Sequence, residues 1–161
     1  MNWYERQRLR SAYGEFCEQM GVTHAVTLAT HQDWSISKTT KLLKQFCARM
    51  DDIHLGSTWS REPLDKRMNG LFHIEGTQHG KHFHAHGLIR FPYGNESGRK
   101  MLIEYFWRGL CPSGTIDVKK LWSNNFATYA SKEMRKRDYT SDRLVLVADF
   151  MSEKTLSALA K

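Results

Sequence analysis

The chain has no apolar run near the ~20 residues needed to cross a bilayer, and its first residues, Met1 to Arg8, lack a secretory pattern. A soluble, cytoplasmic protein with no membrane partner is expected. Cysteine is scarce: Cys17, Cys47 and Cys111 are odd in number, far apart and form no Cys-x-x-Cys pair. That argues against a disulfide framework and a thiolate zinc site, and reads as reduced, semi-buried thiols. Only three prolines are present, without a Pro/Gly/Ser linker, repeat or low-complexity tract, so residues 1–161 read as one continuous domain. No glycine-rich phosphate loop ending in Lys-Ser or Lys-Thr occurs, which excludes a built-in helicase motor of that type. What is plentiful is positive charge: 24 Lys and Arg against 17 Asp and Glu give a net charge of +7. A polyanionic partner fits that balance.

Apolar residues at Leu9, Tyr13, Phe16 and Met20 follow helical spacing, so Trp3 to Met20 should be an amphipathic helix stopped by Gly21. Residues 22–30 read as a strand. Ser37 is a suitable N-cap for a helix through Leu42, Leu43, Phe46 and Met50, with Lys38, Lys41 and Lys44 on its other face. Residues 51–68 read as irregular. Strands are expected at 71–77 and 82–91, a helix at 99–110, a strand at 115–121, a helix opening near Ser123 and carrying Tyr129, an edge strand at 143–147 and a closing helix at 152–160. The order implies an α+β domain, a five-strand antiparallel sheet with helices on one face.

Histidines crowd one place. His73, His79, His82, His84 and His86, five of the eight, fall in one short stretch with Glu75. A two-residue turn at His79 and Gly80 would put Glu75 opposite His84 and His73 opposite His86. Strand alternation then sends these four, with His82, to one face, and Phe72, Ile74, Phe83, Ala85 and Ile89 to the other. Glu75, His84 and His86 are the candidate ligands of a divalent metal, with His82 and His73 as substitutes or supporting groups. Two imidazoles and a carboxylate suit Mn²⁺ or Mg²⁺; the same set can hold Fe(II) in an oxygenase or Zn²⁺ in a hydrolase. Downstream, Tyr129 and Lys132 are three apart on an expected helix and share a face, where a nearby cation would help a tyrosine attack a phosphodiester.

With these residues in place, the sequence resembles the HUH endonucleases, in particular the nuclease domains of rolling-circle replication initiator (Rep) proteins. The segment Glu75-Gly-Thr-Gln-His-Gly-Lys-His-Phe-His84-Ala-His86 is similar to the family's second motif, Tyr129-Ala-Ser-Lys132-Glu133 to its third, and Val26-Thr-Leu-Ala-Thr30 to its first. The resemblance covers about residues 22–137 in the family's motif order. It implies an RNA-recognition-type sheet carrying Mn²⁺ or Mg²⁺ on Glu75, His84 and His86, with the tyrosine helix facing the metal. It also implies that Tyr129 is the nucleophile, leaving a 5′-phosphotyrosine and a 3′-hydroxyl, and that Lys132 orients the phosphate or stabilises its charge. The expected partner is single-stranded DNA at an origin or nick site, gripped by a monomer, with a host helicase unwinding the duplex. Tyr139 lies in a charged segment and reads as a surface residue, so a single-tyrosine enzyme is expected.

Candidates for phosphate contacts are Lys38, Lys41, Lys44, Arg61, Lys66, Arg67, Arg135, Lys136 and Arg137, and for base stacking Trp34, Trp59 and Trp107; since charge runs are usually solvated and tryptophans usually core, about a third of them are expected to touch DNA. Three other readings compete. A single-tyrosine transposase of the same superfamily would use the same residues. A non-catalytic RNA-recognition-like binding module would tolerate Tyr129→Phe. An Fe(II) oxygenase would need a 2-oxo-acid pocket, for which no motif is present.

Overall fold

The computed structural model describes residues 2–76, 82–122 and 143–151. Helix α1 (Trp3–Met20) opens with a reciprocal cap: Asn2 Oδ1 accepts from the Glu5 amide at 2.9 Å, and the Glu5 carboxylate accepts from the Asn2 amide at 2.8 Å. It ends at Gly21, whose φ of 64° is the left-handed turn that glycine adopts without strain. Strand β1 (His24–Ala29) follows. Helix α2 (Ile36–Leu55) starts two residues earlier than its sequence pattern implied. The cap is Ser35, not Ser37, because Ser35 is the residue in extended backbone, and its hydroxyl accepts from the Lys38 amide at 3.1 Å.

Strands β2 (Asn69–Glu75) and β3 (His84–Arg90), helix α3 (Glu96–Leu110), and strands β4 (Thr115–Lys120) and β5 (Leu144–Leu146) complete the described elements. The fold is α+β, as expected, with a five-strand antiparallel sheet in the order β4-β1-β3-β2-β5. Inserting β3 between β1 and β2 makes the first four strands a split β-α-β arrangement. The expected helices near 123 and at 152–160 fall outside the described residues.

Period-two alternation divides the sheet. Val26, Leu28, Phe72, Ile74, Ala85, Ile89 and Val145 form one core with Leu43, Phe46 and Met50 of α2 and Ile103 and Trp107 of α3. At Gly87 a Cβ would sit 2.6 Å from the Phe72 ring, so only glycine lets that aromatic lie flat across its strand partner. Residues of opposite parity face the other way. At one end of that second face, Ala25, Leu71, Leu88, Leu144 and Leu146 pack under Tyr13, Phe16, Cys17 and Met20 of α1. The helices are therefore split: α2 and α3 cover one face as the pattern implied, while α1 covers part of the other. At the far end of the second face, beyond α1's apolar contacts, stand Thr27, His73, Glu75, His84 and His86.

The segment expected to be irregular is part helix and part short 3-10 turns, Trp59–Arg61 and Leu64–Lys66. Buried Asp51 pins it. Its carboxylate accepts from Arg67 Nε (3.1 Å), the Met68 amide (2.8 Å) and the Tyr93 hydroxyl (2.8 Å). Losing one partner of such a buried pair costs about 3–5 kcal/mol, so this segment is a fixed strut. Burial, with the Asp51 charge and hydrogen bond, pushes the Tyr93 phenol well above its usual range.

Candidate metal centre

The β2–β3 register sets the site. Glu75 lies opposite His84 and His73 opposite His86, the pairing read from the sequence. Glu75 Oε2 sits 2.8 Å from His84 Nε2 and 3.0 Å from His86 Nε2. The two imidazoles are nearly perpendicular, their centroids 4.9 Å apart. One ligand atom from each of Glu75, His84 and His86 lies within 4.8 Å of the others, so the group could hold a metal ion. Side-chain exposures of 19, 29 and 31% leave the three open to an ion yet held by their surroundings.

The far nitrogens explain the ring orientations. His84 Nδ1 lies 3.2 Å from the His82 carbonyl, and His86 Nδ1 lies 3.1 Å from the Thr27 hydroxyl. For His84 the consequence is specific. A carbonyl can only accept, so Nδ1 must carry a proton, while Nε2 faces a carboxylate that also only accepts. Satisfying both sides needs a second ring proton, a proton on Glu75, or a cation at Nε2. The Nδ1–H tautomer is the one that presents an Nε2 lone pair to a metal. Two imidazoles and one carboxylate could hold a divalent ion, and this donor set does not select which one.

Row by row, Asp117, Thr27, His86 and His73 stand in register across β4, β1, β3 and β2. Thr27 is the contributor missed as an individual: its strand was noted, but its meeting with His86, 59 positions away, depends on β1 pairing with β3. His73 is buried beside the site without belonging to the metal-capable group. His82 precedes β3, is exposed, and approaches Asp33 at 3.7 Å instead of the triad. His79, Tyr129 and Lys132 lie outside the described residues, as do Arg135, Lys136, Arg137 and Tyr139.

Two of the candidate DNA contacts are excluded. Trp107 is completely buried and donates through Nε1 to the Ala29 carbonyl at 2.9 Å; its helical position put it in the core. Arg67 is buried against Asp51. Lys38, Lys41, Lys44, Arg61 and Lys66 are exposed. Lys38 Nζ lies 3.9 Å over the half-buried Trp34 ring, and Trp59 is covered by Arg67 at 5.0 Å. Trp122, 70% exposed with Lys120 Nζ 5.3 Å over its ring, is an aromatic–basic pair that the sequence reading did not single out. The three cysteines are free, as expected, and fully rather than half buried; burial pushes the Cys17 thiol up to about 11.

A second histidine–carboxylate cluster lies at the opposite end of the sheet. His24, 2% exposed, has Nε2 3.0 Å from Glu96 and Nδ1 2.7 Å from the Thr23 hydroxyl. Arg99 also donates to Glu96. Burial lowers the His24 pKa from its usual 6.5, although Glu96 pulls it upward. Neutral His24 then donates Nε2–H to Glu96 and accepts from Thr23. That hydrogen bond is the main cause holding Glu96 below its ordinary value.

No helix among the described residues is long and apolar enough to cross a membrane. The chain matches no protein-family model, no curated protein and no solved structure. What fold and site define is an α+β domain whose antiparallel sheet carries a Glu-His-His group able to hold a metal.

Proposed function

We propose that the protein is a metal-dependent, sequence-specific nickase and strand transferase of single-stranded DNA, working as HUH-type replication initiators do. The observation that carries the reading is the convergence of Glu75, His84 and His86 at the open end of an antiparallel sheet. Support also comes from the order in which the three resembling motifs follow one another along the chain, and from the net charge of +7.

In this reading Glu75, His84 and His86 hold the divalent ion, Mn²⁺ or Mg²⁺. When bound, the ion supplies Lewis-acid polarisation of a phosphodiester. Thr27 and the His82 carbonyl keep the imidazole rings aimed. Tyr129 supplies the nucleophile: its phenol gives up its proton to solvent and the oxygen forms a bond to phosphorus as the bond to the 3′ oxygen breaks. The products are a 5′-phosphotyrosine and, once that oxygen takes up a proton, a 3′-hydroxyl. Lys132 offsets charge on the phosphate. Because the phosphodiester is conserved in the covalent link, another strand's 3′-hydroxyl can reverse the step and join ends. Initiation of plasmid or phage rolling-circle replication is the process this chemistry serves, with unwinding by a separate helicase. Lys38 with Trp34 and Lys120 with Trp122 are aromatic–basic pairs of the kind single strands use.

The test is incubation of the protein and Tyr129→Phe with a random single-stranded DNA library and Mn²⁺. An SDS-resistant adduct that forms only with Tyr129 present, and only without EDTA, is expected; sequencing the trapped ends gives the recognised site. Tight DNA binding with no adduct in either protein would replace the nuclease with a non-catalytic binding module.

A further inference from the structure

Where β1 ends, its pairing with β3 breaks in an unusual way. The Thr30 amide donates to the Phe83 carbonyl at 2.9 Å, but the Phe83 amide donates to Gln32, not Thr30, at 3.2 Å. Residues 30–32 thus oppose the single residue Phe83, a bulge with His31 at its apex. His31 has φ of 53°, the only positive φ at a non-glycine position among the described residues. A left-handed bulge position is where glycine is normally used, because a side chain there is strained.

The surroundings make this bulge rigid. Thr30 Oγ1 donates to the Phe83 carbonyl, while the Thr30 carbonyl accepts from Ser113 Oγ at 2.9 Å and from the Cys111 thiol at 3.2 Å. The strain at His31 is therefore imposed by a locked frame, and what it does is re-aim one imidazole. His31 Nε2 reaches Thr115 Oγ1 at 2.8 Å, and its ring centroid comes within 6.3 Å of that of His82. Thr115 stands in the same cross-strand row as His84 and Glu75. His82 is two residues before the ligand His84, and Asp33 lies 3.7 Å from its Nδ1. Each exposed ring thus has one nitrogen facing a protein group and another, His31 Nδ1 and His82 Nε2, without a protein hydrogen bond among the described residues.

We infer that His31 and His82 form a phosphate-contacting rim on the metal site, binding the sugar–phosphate backbone of the single strand next to the phosphate at Glu75, His84 and His86. The inference rests on the proposed nuclease reading and deepens it by naming which side chains position the strand. A neutral imidazole N–H is a donor suited to a non-bridging phosphate oxygen. A purely structural role explains the site poorly, since among the described residues the ring of the strained residue hydrogen-bonds only to the exposed Thr115 hydroxyl.

His31→Gly is the discriminating variant: glycine accepts the left-handed bulge, so only the imidazole is lost. His31→Asn, which also tolerates that conformation, and His82→Ala, which keeps the carbonyl that accepts from His84, complete the set. Each is compared with the native protein for melting temperature, Mn²⁺ binding by EPR, and binding of a fluorescent random-sequence single-stranded DNA pool with Mn²⁺ present. The expected result is DNA binding weakened about tenfold for each variant, as for loss of one charge-assisted hydrogen bond. Mn²⁺ affinity should be unchanged, and His31→Gly should melt no lower than native. Unchanged DNA affinity in His31→Gly and His82→Ala overturns the rim while leaving the nuclease reading standing. A joint fall of melting temperature and Mn²⁺ binding in His31→Gly assigns His31 to structure and also overturns it. Failure of the native protein to bind single-stranded DNA overturns both readings.

Discussion

The two histidine–carboxylate clusters use the same chemistry in opposite ways. At one end of the sheet, Glu96 receives hydrogen bonds from both His24 and Arg99, and Thr23 occupies the other ring nitrogen. With His24 neutral, its ring has a carboxylate to donate to at Nε2 and a hydroxyl beside Nδ1, so the ring itself calls for no added ion, and the cluster ties β1 to the start of α3. At the other end one oxygen of Glu75 sits between two imidazoles, and His84 has an acceptor on each side. There a proton or a cation is still required. The difference teaches that a metal site is recognised less by the presence of His and Glu than by a mismatch in their hydrogen-bonding inventory that an ion would resolve.

Predictions that break this comparison begin at the open cluster. His84→Ala or His86→Ala should reduce the proposed Mn²⁺-dependent cleavage by roughly 100-fold or more, with melting temperature in EDTA little changed, measured by single-turnover cleavage and calorimetry. The sealed cluster should show the reverse. His24→Ala removes a buried, hydrogen-bonded ring and should cost about 2–4 kcal/mol of stability by urea denaturation, leaving Mn²⁺ affinity intact. Thr27→Val sharpens the contrast by leaving His86 in place but freeing its far nitrogen; about a tenfold weaker metal affinity is expected, by isothermal titration.

The smallest effect is in pH. His24 titrates below its usual 6.5 when folded, so the unfolded chain takes up that proton first and its contribution to stability falls as pH drops below about 6.5. Glu96, held low by His24, contributes stability above its ordinary 4.5 that is lost at still lower pH, as it protonates in the fold. Denaturant titrations at stepped pH should show the His24 component in the native protein and not in His24→Ala.

The hairpin register was legible because the period-two alternation of residues 71–75 and 84–89 is a local signal, and it sufficed, with a two-residue turn assumed at His79 and Gly80, which lie outside the described residues, to name Glu75, His84 and His86 together. Helix α1 was legible to the residue, since both its apolar spacing and Gly21 are local. What escaped depends on distant partners. Trp107 and Arg67 looked available for DNA until packing on the sheet and on Asp51 consumed them. The position of α1 on the metal-bearing face follows from Leu71 and Leu88, whose facing is fixed only once β2 and β3 pair. Thr27's contact with His86 and the left-handed bulge at His31 have no local signature, because each arises from β1 meeting β3.

The most direct test of the account is an EPR titration of Mn²⁺ into the metal-free protein and into Glu75→Gln. A single tight site in the native protein, lost in Glu75→Gln, is what the Glu75, His84 and His86 geometry predicts; no Mn²⁺ binding by the native protein, or equal binding by Glu75→Gln, would contradict it.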